Sequence, residues 1–528
     1  MKEGFRQSMA WLHTWSGLIF GWLLLAIFLT GSLAYFKDEI SHWMQPEVPA
    51  RDLDAQANLV VAQAYLQQRA PNAARWFINL PNERQPALSV SWQDAAKVGQ
   101  RGAFEEQLLD PASGAALQAR ETRGGEFFYR FHFQLQMPYP WGRWLSTAAA
   151  MVMFVALISG IITHKKIFKD FFTFRPRKGQ RTWLDGHNAV GVLVLPFHLM
   201  ITYSSLVIFM TMVMPASILV AYDNNPRSFF NELLPATNNP KAAGQPGTLV
   251  ALAPLLDQAL QQWPGGRAER IAVNNPGDLN ASVNVFRSGA DRVVHDFGSV
   301  VSFNGVTGQM LKVSAGQSLP LAIGGSFYGL HMGHFSGPVL RWLYFICGLA
   351  STAMIGTGLV IWLGKRQLKH AKSGVQPFEL RLVEVLNIAS MAGLVVAVAA
   401  YFWANRLLPA GLAERAGWEV TGFFSVWGLS LLHAALRRGP RAWIEQLGLA
   451  ALLFAGLPLL DVLTAPDLGW VLGGPMDGVR LGFDLACLGT GLFLAWAALK
   501  MHRRGSLQAE ARPRAARARP MPLESEVN

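Results

Sequence analysis

Eight apolar runs, each long enough to cross a bilayer, constrain this chain more than anything else in it. They fall at roughly 13–36, 143–164, 187–214, 340–363, 382–404, 418–436, 443–464 and 480–500; about 20 apolar residues suffice for one crossing. With 51% hydrophobic and only 15% charged residues among 528, the composition predicts a polytopic α-helical membrane protein rather than a soluble enzyme. A net charge of +12 does not signal nucleic acid, because the cations sit in loops between apolar runs and no RNA or DNA motif accompanies them.

Those loops orient the chain. KKIFKDFFTFRPRKGQR (165–181) carries seven Lys/Arg against one acid, and KRQLKHAK from Lys365, RRGPR at 437–441 and the tail from Arg503 to Arg519 are also basic. Eight crossings with both termini in the cytoplasm put all four segments inside, as positively charged loops require. The first apolar run follows Lys2 and Arg6, is of spanning length and lacks a clear small-residue cleavage site, so it reads as a retained helix rather than a signal peptide.

Two polar segments, about 37–140 and 222–330, then fall outside. Each opens with an amphipathic helix-like stretch (LVVAQAYLQQRAP; LVALAPLLDQALQQWP) and continues with alternating strand-like residues (ALSVSWQ; ASVNVFR). Each closes on a strand–turn–strand pattern, LLDPASGAAL (108–117) and SFNGVTGQML (302–311). Two small α+β domains are expected. Around them the chain repeats itself. His13-x-x-x-Gly17 and His187-x-x-x-Gly191 open spans one and three, and Arg143-Trp144-Leu145 and Arg341-Trp342-Leu343 enter spans two and four. His132 and His331 follow the external segments, and Gly160 and Gly358 each lie sixteen residues beyond the matching tryptophan. Residues 1–170 and 180–370 thus read as two parallel copies of helix, external domain, helix. Spans five to eight have no copy and form a C-terminal four-helix extension.

The expected order is: helix 1 (1–36), external domain 1 (37–140), helix 2 (141–164), a basic loop (165–182), helix 3 (183–221) and external domain 2 (222–330). Helix 4 (331–364), a loop (365–380), helices 5–8 (381–502) and a basic tail (503–528) complete it.

Histidine in an apolar span is costly and marks a functional site. His187 and His198 are eleven residues apart; on a straight helix they would share one face, about 16 Å apart. His13, His164 and His187 lie near the cytoplasmic ends of spans one to three. His132 and His331 lie near external ends, and His198 is deeper. These six imidazoles are what two haems with paired axial ligands need, with one spare on each side. The repeat pairs His13 with His187, with His164 the alternative inner ligand. His198 is the best-buried outer candidate, with His331 or His132 as partner. His42, His295, His334, His370, His433 and His502 read as surface or loop residues. No Cys-x-x-Cys-His is present, and Cys347 and Cys487 build no metal or disulfide framework, so any haem is held non-covalently. Arg143 and Arg341 read either as interfacial snorkelling residues or as cations for propionates or an anionic substrate. Gly17-x-x-x-Gly21 and Gly356-Thr-Gly358 would allow close helix approach.

His13-Thr-Trp-Ser-Gly, the two closers Asp110-x-x-x-Gly114 and Asn304-x-x-x-Gly308, and SGIITHKKIFKDFFTFRP resemble the PepSY-associated transmembrane helix family over about 1–370. That family includes bacterial iron-regulated inner-membrane proteins and di-haem ferric-siderophore reductases. The resemblance implies an inner-membrane protein with a four-helix core holding two haems b and PepSY-like periplasmic domains. It also implies reduction of a ferric siderophore in the periplasm to release iron. No Rossmann glycine pattern is present, so electrons would come from a quinol or a cytosolic reductase. Ferrous iron is held less tightly than ferric iron by hard oxygen donors, so reduction would release it. Two other readings stand beside this one. One is a non-redox module whose external domains bind a peptide or protein; the other is a transporter, for which Asp461 (near an outer helix end) and Asp484 are the intramembrane charges.

Overall fold

The computed structural model describes residues 4–48, 54–82, 84–94, 104–164, 167–171, 174–176, 178–233, 239–314, 318–371, 376–437, 439–465 and 477–517; part of the expected basic tail, 518–528, lies outside the described residues. The chain divides into two units, Met1–Leu359 and Val360–Asn528. Among the described residues seven helices are long and apolar enough to cross a membrane, or up to eight if the bent pair Gln180–Leu193 and Leu195–Ile208 is one span.

In the first unit, α1 (Phe5–Ala34), α2 (Lys37–Met44) and α3 (Ala55–Arg69) precede strands β1 (Arg75–Asn79), β2 (Leu88–Gln93) and β3 (Phe104–Leu109). Then come α4 (Glu126–Gln134), α5 (Trp141–Thr163), the short α6 (Ile167–Asp170), α7 (Gln180–Leu193) and α8 (Leu195–Ile208). Three short helices, α9 (Met210–Val213), α10 (Ala216–Ala221) and α11 (Pro226–Leu233), lead to α12 (Ala253–Gln261). Strands β4 (Ala268–Asn274), β5 (Ser282–Arg287), β6 (Val300–Asn304) and β7 (Met310–Ser314) follow, then α13 (Leu319–Met332) and α14 (Pro338–His370).

The segments 37–140 and 222–330 share one sheet. Their strands join in one antiparallel sheet of order β3-β2-β1-β4-β5-β6-β7. The junction runs from Arg75 opposite Asn274 to Asn79 opposite Arg270. A three-strand meander leaves β1 with an unpaired row of backbone groups, and β4 supplies the missing ladder. One core serves both halves. Leu59 and Leu66 of α3 and Leu255 and Leu256 of α12 pack with Trp76, Ile78, Val90, Ile271, Val283, Val301 and Phe303, and each such side chain contributes about 1.5–3 kcal/mol by leaving water. Gln63 ties the halves further: its amide donates to Val250 O (3.0 Å) and accepts from Leu252 N (2.9 Å).

The hairpin closers are built alike. Asp110 Oδ1 accepts from Ala112 N and Ser113 N, and Asn304 Oδ1 accepts from Val306 N and Thr307 N. Gly114 (φ 72°) and Gly308 (φ 73°) take the left-handed position that ends each turn.

The third span is bent rather than straight, by 66° between α7 and α8. Pro196 sits in the first turn of α8; it lacks an N–H, and its ring crowds the carbonyl four residues earlier. His187 and His198 therefore do not share the straight helical stripe that their spacing suggests.

The second unit contains α15 (Phe378–Ile388), joined through a π-turn (Ala389–Gly393) to α16 (Leu394–Leu407), then α17 (Arg415–Arg437), α18 (Gly439–Thr464) and α19 (Gly478–Arg517). Ala399, Tyr401, Phe402, Phe423 and Leu457 are buried in it.

Candidate functional site

Four helices of the first unit carry two facing pairs of imidazoles. His13 on α1 and His187 on α7 stand with ring centroids 6.4 Å apart. His132 on α4 and His331 on α13 stand 6.1 Å apart. The pairs form because each ring is fixed to a neighbouring helix. His13 Nδ1 lies 2.8 Å from Ala156 O, and His187 Nδ1 lies 2.9 Å from Met354 O. His132 Nδ1 lies 2.8 Å from Ile27 O. His331 Nδ1 lies 2.9 Å from Ser204 Oγ, and its ring also meets the Ile201 carbonyl. A carbonyl only accepts, so Nδ1 carries the proton and each neutral ring keeps the lone pair on Nε2. Among the described residues no hydrogen bond occupies Nε2 of these four rings.

Glycines make three of these anchors. Each carbonyl lies four residues before a glycine on the same helix, so the ring rests where a side chain would stand. A Cβ on Gly160 would meet His13 Cε1 at 3.0 Å, one on Gly358 would meet His187 Cε1 at 3.3 Å, and one on Gly31 would meet His132 Nδ1 at 2.5 Å. At His331 the corresponding contact is serine. Of the other expected close approaches, Gly21 faces Leu359, whereas Gly17 faces open space.

The His132–His331 pair opens into a cavity of about 760 Å3 whose wall includes His132, His331, His334, Arg143, Lys37 and four tyrosines, Tyr35, Tyr129, Tyr139 and Tyr328. Ligand cavities commonly fall between about 300 and 1,000 Å3. His334, expected at the surface, is largely enclosed: burial and then the nearby Lys37 and His295 push its pKa down to about 4. His295 stacks edge-on with it, ring centroids 6.5 Å apart, and His42 is buried rather than exposed.

The remaining sequence candidates lie elsewhere. His198 belongs to neither pair; it is fully buried, and among the described residues neither ring nitrogen has a hydrogen-bond partner. His164 caps α5, and its Nε2 accepts from Asn188 Nδ2 at 3.1 Å. Arg341 is paired, its Nη1 lying 2.5 Å from Glu39 Oε1. Glu39 also holds Arg84 through both carboxylate oxygens (3.0 Å each), and Arg84 Nη2 donates to Tyr35 O. This network fastens the loop between β1 and β2 to the ends of α1 and α14. Arg175 of the basic loop grips Asp185, two residues before His187, through two nitrogens (2.8 and 2.9 Å).

A model described as the PepSY-associated TM region matches residues 10–365. The chain belongs to this family. Among its relatives, the uncharacterized protein PA4219 of Pseudomonas aeruginosa is 27% identical over 390 residues, covering 70% of this chain and 94% of that protein. The PepSY-associated region contains all six histidines singled out in the sequence, and four of them make the two pairs.

Beyond the PepSY-associated region lies a group that sequence reading treated too lightly. Asp461, expected near solvent, is fully buried in the second unit; Arg480 Nη2 reaches its two oxygens at 2.9 and 2.8 Å, and Arg406 donates to it as well. Arg415 and Glu419, one helical turn apart, are paired at 2.5 Å and buried beside Asn405. Their signal is charge within apolar runs, four residues apart for Arg415 and Glu419 but spread over three helices for Asp461.

Proposed function

We propose that the first unit binds two haems b, one between His13 and His187 and the other between His132 and His331. In this reading the protein passes electrons across a bacterial inner membrane to reduce a ferric siderophore on the sheet side. The observation that carries it is the matched geometry of the pairs. Two metal–imidazole bonds of about 2.0–2.1 Å put ring centroids roughly 6.3 Å apart, beside the 6.4 and 6.1 Å found here. Metal-bound histidine typically gives its second ring nitrogen to a carbonyl or carboxylate, which fixes tautomer and orientation; all four rings meet a carbonyl in this way.

Iron held by two imidazoles exchanges single electrons and has no open position for oxygen. The chain supplies the rest. Gly31, Gly160 and Gly358 seat the rings against backbone. The apolar walls of α1, α5, α8 and α14 exclude water, and the outer cavity admits the acceptor near the His132–His331 pair. The basic loops support cytoplasmic termini, with a quinol or a cytosolic reductase as donor.

The test is a dithionite-reduced minus oxidised visible spectrum of the purified protein with haem quantified per chain. Sharp b-type bands at about two haems per chain support the reading. A protein that stays colourless when expressed with ample haem overturns it and favours a membrane-anchored binding module.

A further inference from the structure

Arg143 and Arg341 occupy matching places in the sequence, each before Trp-Leu at the sheet end of a span, yet their surroundings differ. Arg341 has Glu39 for a partner and donates to Ser336 O at 3.2 Å. Arg143 has no carboxylate partner among the described residues. Its Nε approaches Gln134 Oε1 at 3.3 Å, and its guanidinium carbon lies 5.1 Å from the Phe133 ring centroid and 5.2 Å from that of Tyr139. Two aromatic faces thus hold the cation in place while a neutral amide meets only Nε. Both Nη nitrogens stay available on the wall of the 760 Å3 cavity that also contains His132 and His331. Lys37, the other cation on that wall, is already engaged by Asp38 (3.0 Å) and Glu126 (3.7 Å). The cavity therefore carries one uncompensated, pre-oriented guanidinium. Its planar fork matches a carboxylate through two parallel hydrogen bonds.

We propose that Arg143 is the carboxylate-binding residue of this cavity, taking a carboxylate of a ligand seated beside the outer imidazole pair. The proposal rests on the electron-transfer reading. The carboxylate is either a propionate of the group held by His132 and His331, or a carboxylate of the ferric chelate that enters to be reduced. Arg341 does not line this cavity and is held by Glu39 instead.

The experiment compares wild type, Arg143→Gln and Arg143→Lys, all full-length and purified in detergent. Redox titration of the visible bands gives the midpoint potential of each haem component. Steady-state reduction gives KM for ferric citrate and for a tris-hydroxamate ferric chelate that has no carboxylate. If the propionate is the partner, Arg143→Gln lowers the potential of one component only, because a cation that favours the reduced state is lost; Arg143→Lys restores most of the shift, and both KM values hold. If the chelate is the partner, KM for ferric citrate rises tenfold or more in Arg143→Gln while the hydroxamate KM and both potentials hold. Potentials and KM values that match wild type in Arg143→Gln overturn the proposal. Failure of the functional reading shows separately, as absence of haem bands in wild type. Calorimetric titration with citrate then decides: binding lost in Arg143→Gln sustains the proposal, and absence of binding to wild type, or equal binding to both proteins, overturns it.

Discussion

His13 and His187 reach each other across the first unit in equivalent ways, each ring resting on a glycine and meeting the carbonyl one helical turn before it, Ala156 for one and Met354 for the other. This shared anchoring separates the paired histidines from His164 and His198, and it fixes what each substitution should do.

Replacing His13 or His187 by Ala should remove one haem and leave the other, taking the content from about two per chain to about one. Replacing His132 or His331 should do the same for the other component. Reduced-minus-oxidised spectra with pyridine haemochrome quantification check this. Loss of the same spectral component from both pairs would contradict the assignment.

His198 should behave differently. Neither ring nitrogen has a partner, and an unsatisfied buried polar group costs about 1–3 kcal/mol. His198→Phe should keep the full haem content and leave thermal stability equal or higher. Loss of one haem in that variant would return His198 to the ligand set.

The glycine contacts predict a ranked series. An added Cβ meets the ring at 2.5 Å on Gly31, 3.0 Å on Gly160 and 3.3 Å on Gly358. Alanine should therefore disturb haem binding most at Gly31, less at Gly160 and least at Gly358. Haem content of the three purified variants gives the order, and a reversed order would refute the contact argument.

Asp461 lies between Arg406 and Arg480 out of reach of water. Asp461→Ala removes the carboxylate that both cations meet, and breaking such a buried pair costs about 3–5 kcal/mol. Denaturation of the variant should show that loss. A change below about 1 kcal/mol would mean that the cations find other acceptors.

His334 sets a pH dependence. Its pKa falls from an ordinary 6.5 to about 4 on folding, so between those values the unfolded chain binds a proton that the folded one does not. Its stabilising contribution is fully present above pH 6.5 and declines as pH falls towards about 4. Thermal unfolding across that window should show the decline, and His334→Gln should flatten it. An unchanged slope in the variant would assign the effect to other groups.

The apolar helices and the approach of His13 to His187 were legible in the sequence because each rests on a pattern that local spacing preserves. The shared sheet was not. β1 and β4 show the same alternation whether they edge two sheets or join one, and only the ladder from Arg75 to Asn79 distinguishes the cases. The approach of His132 to His331 was less legible, because a straight third span favours His198, whereas Pro196 turns the chain there. Arg143 and Arg341 read identically, and what separates them is Glu39, distant in sequence and brought to one of them alone.

The strand ladder that joins the two halves also has a consequence for biosynthesis. β1 ends at Asn79 and its partner β4 begins at Ala268, so about 190 residues of further translation separate them, roughly 10–40 s at ordinary elongation rates. Throughout that interval the first half carries an open, hydrogen-bonding margin able to capture the wrong strand. A nascent chain paused before residue 268 is the species most exposed to chaperones, proteases and pairing with its own copies.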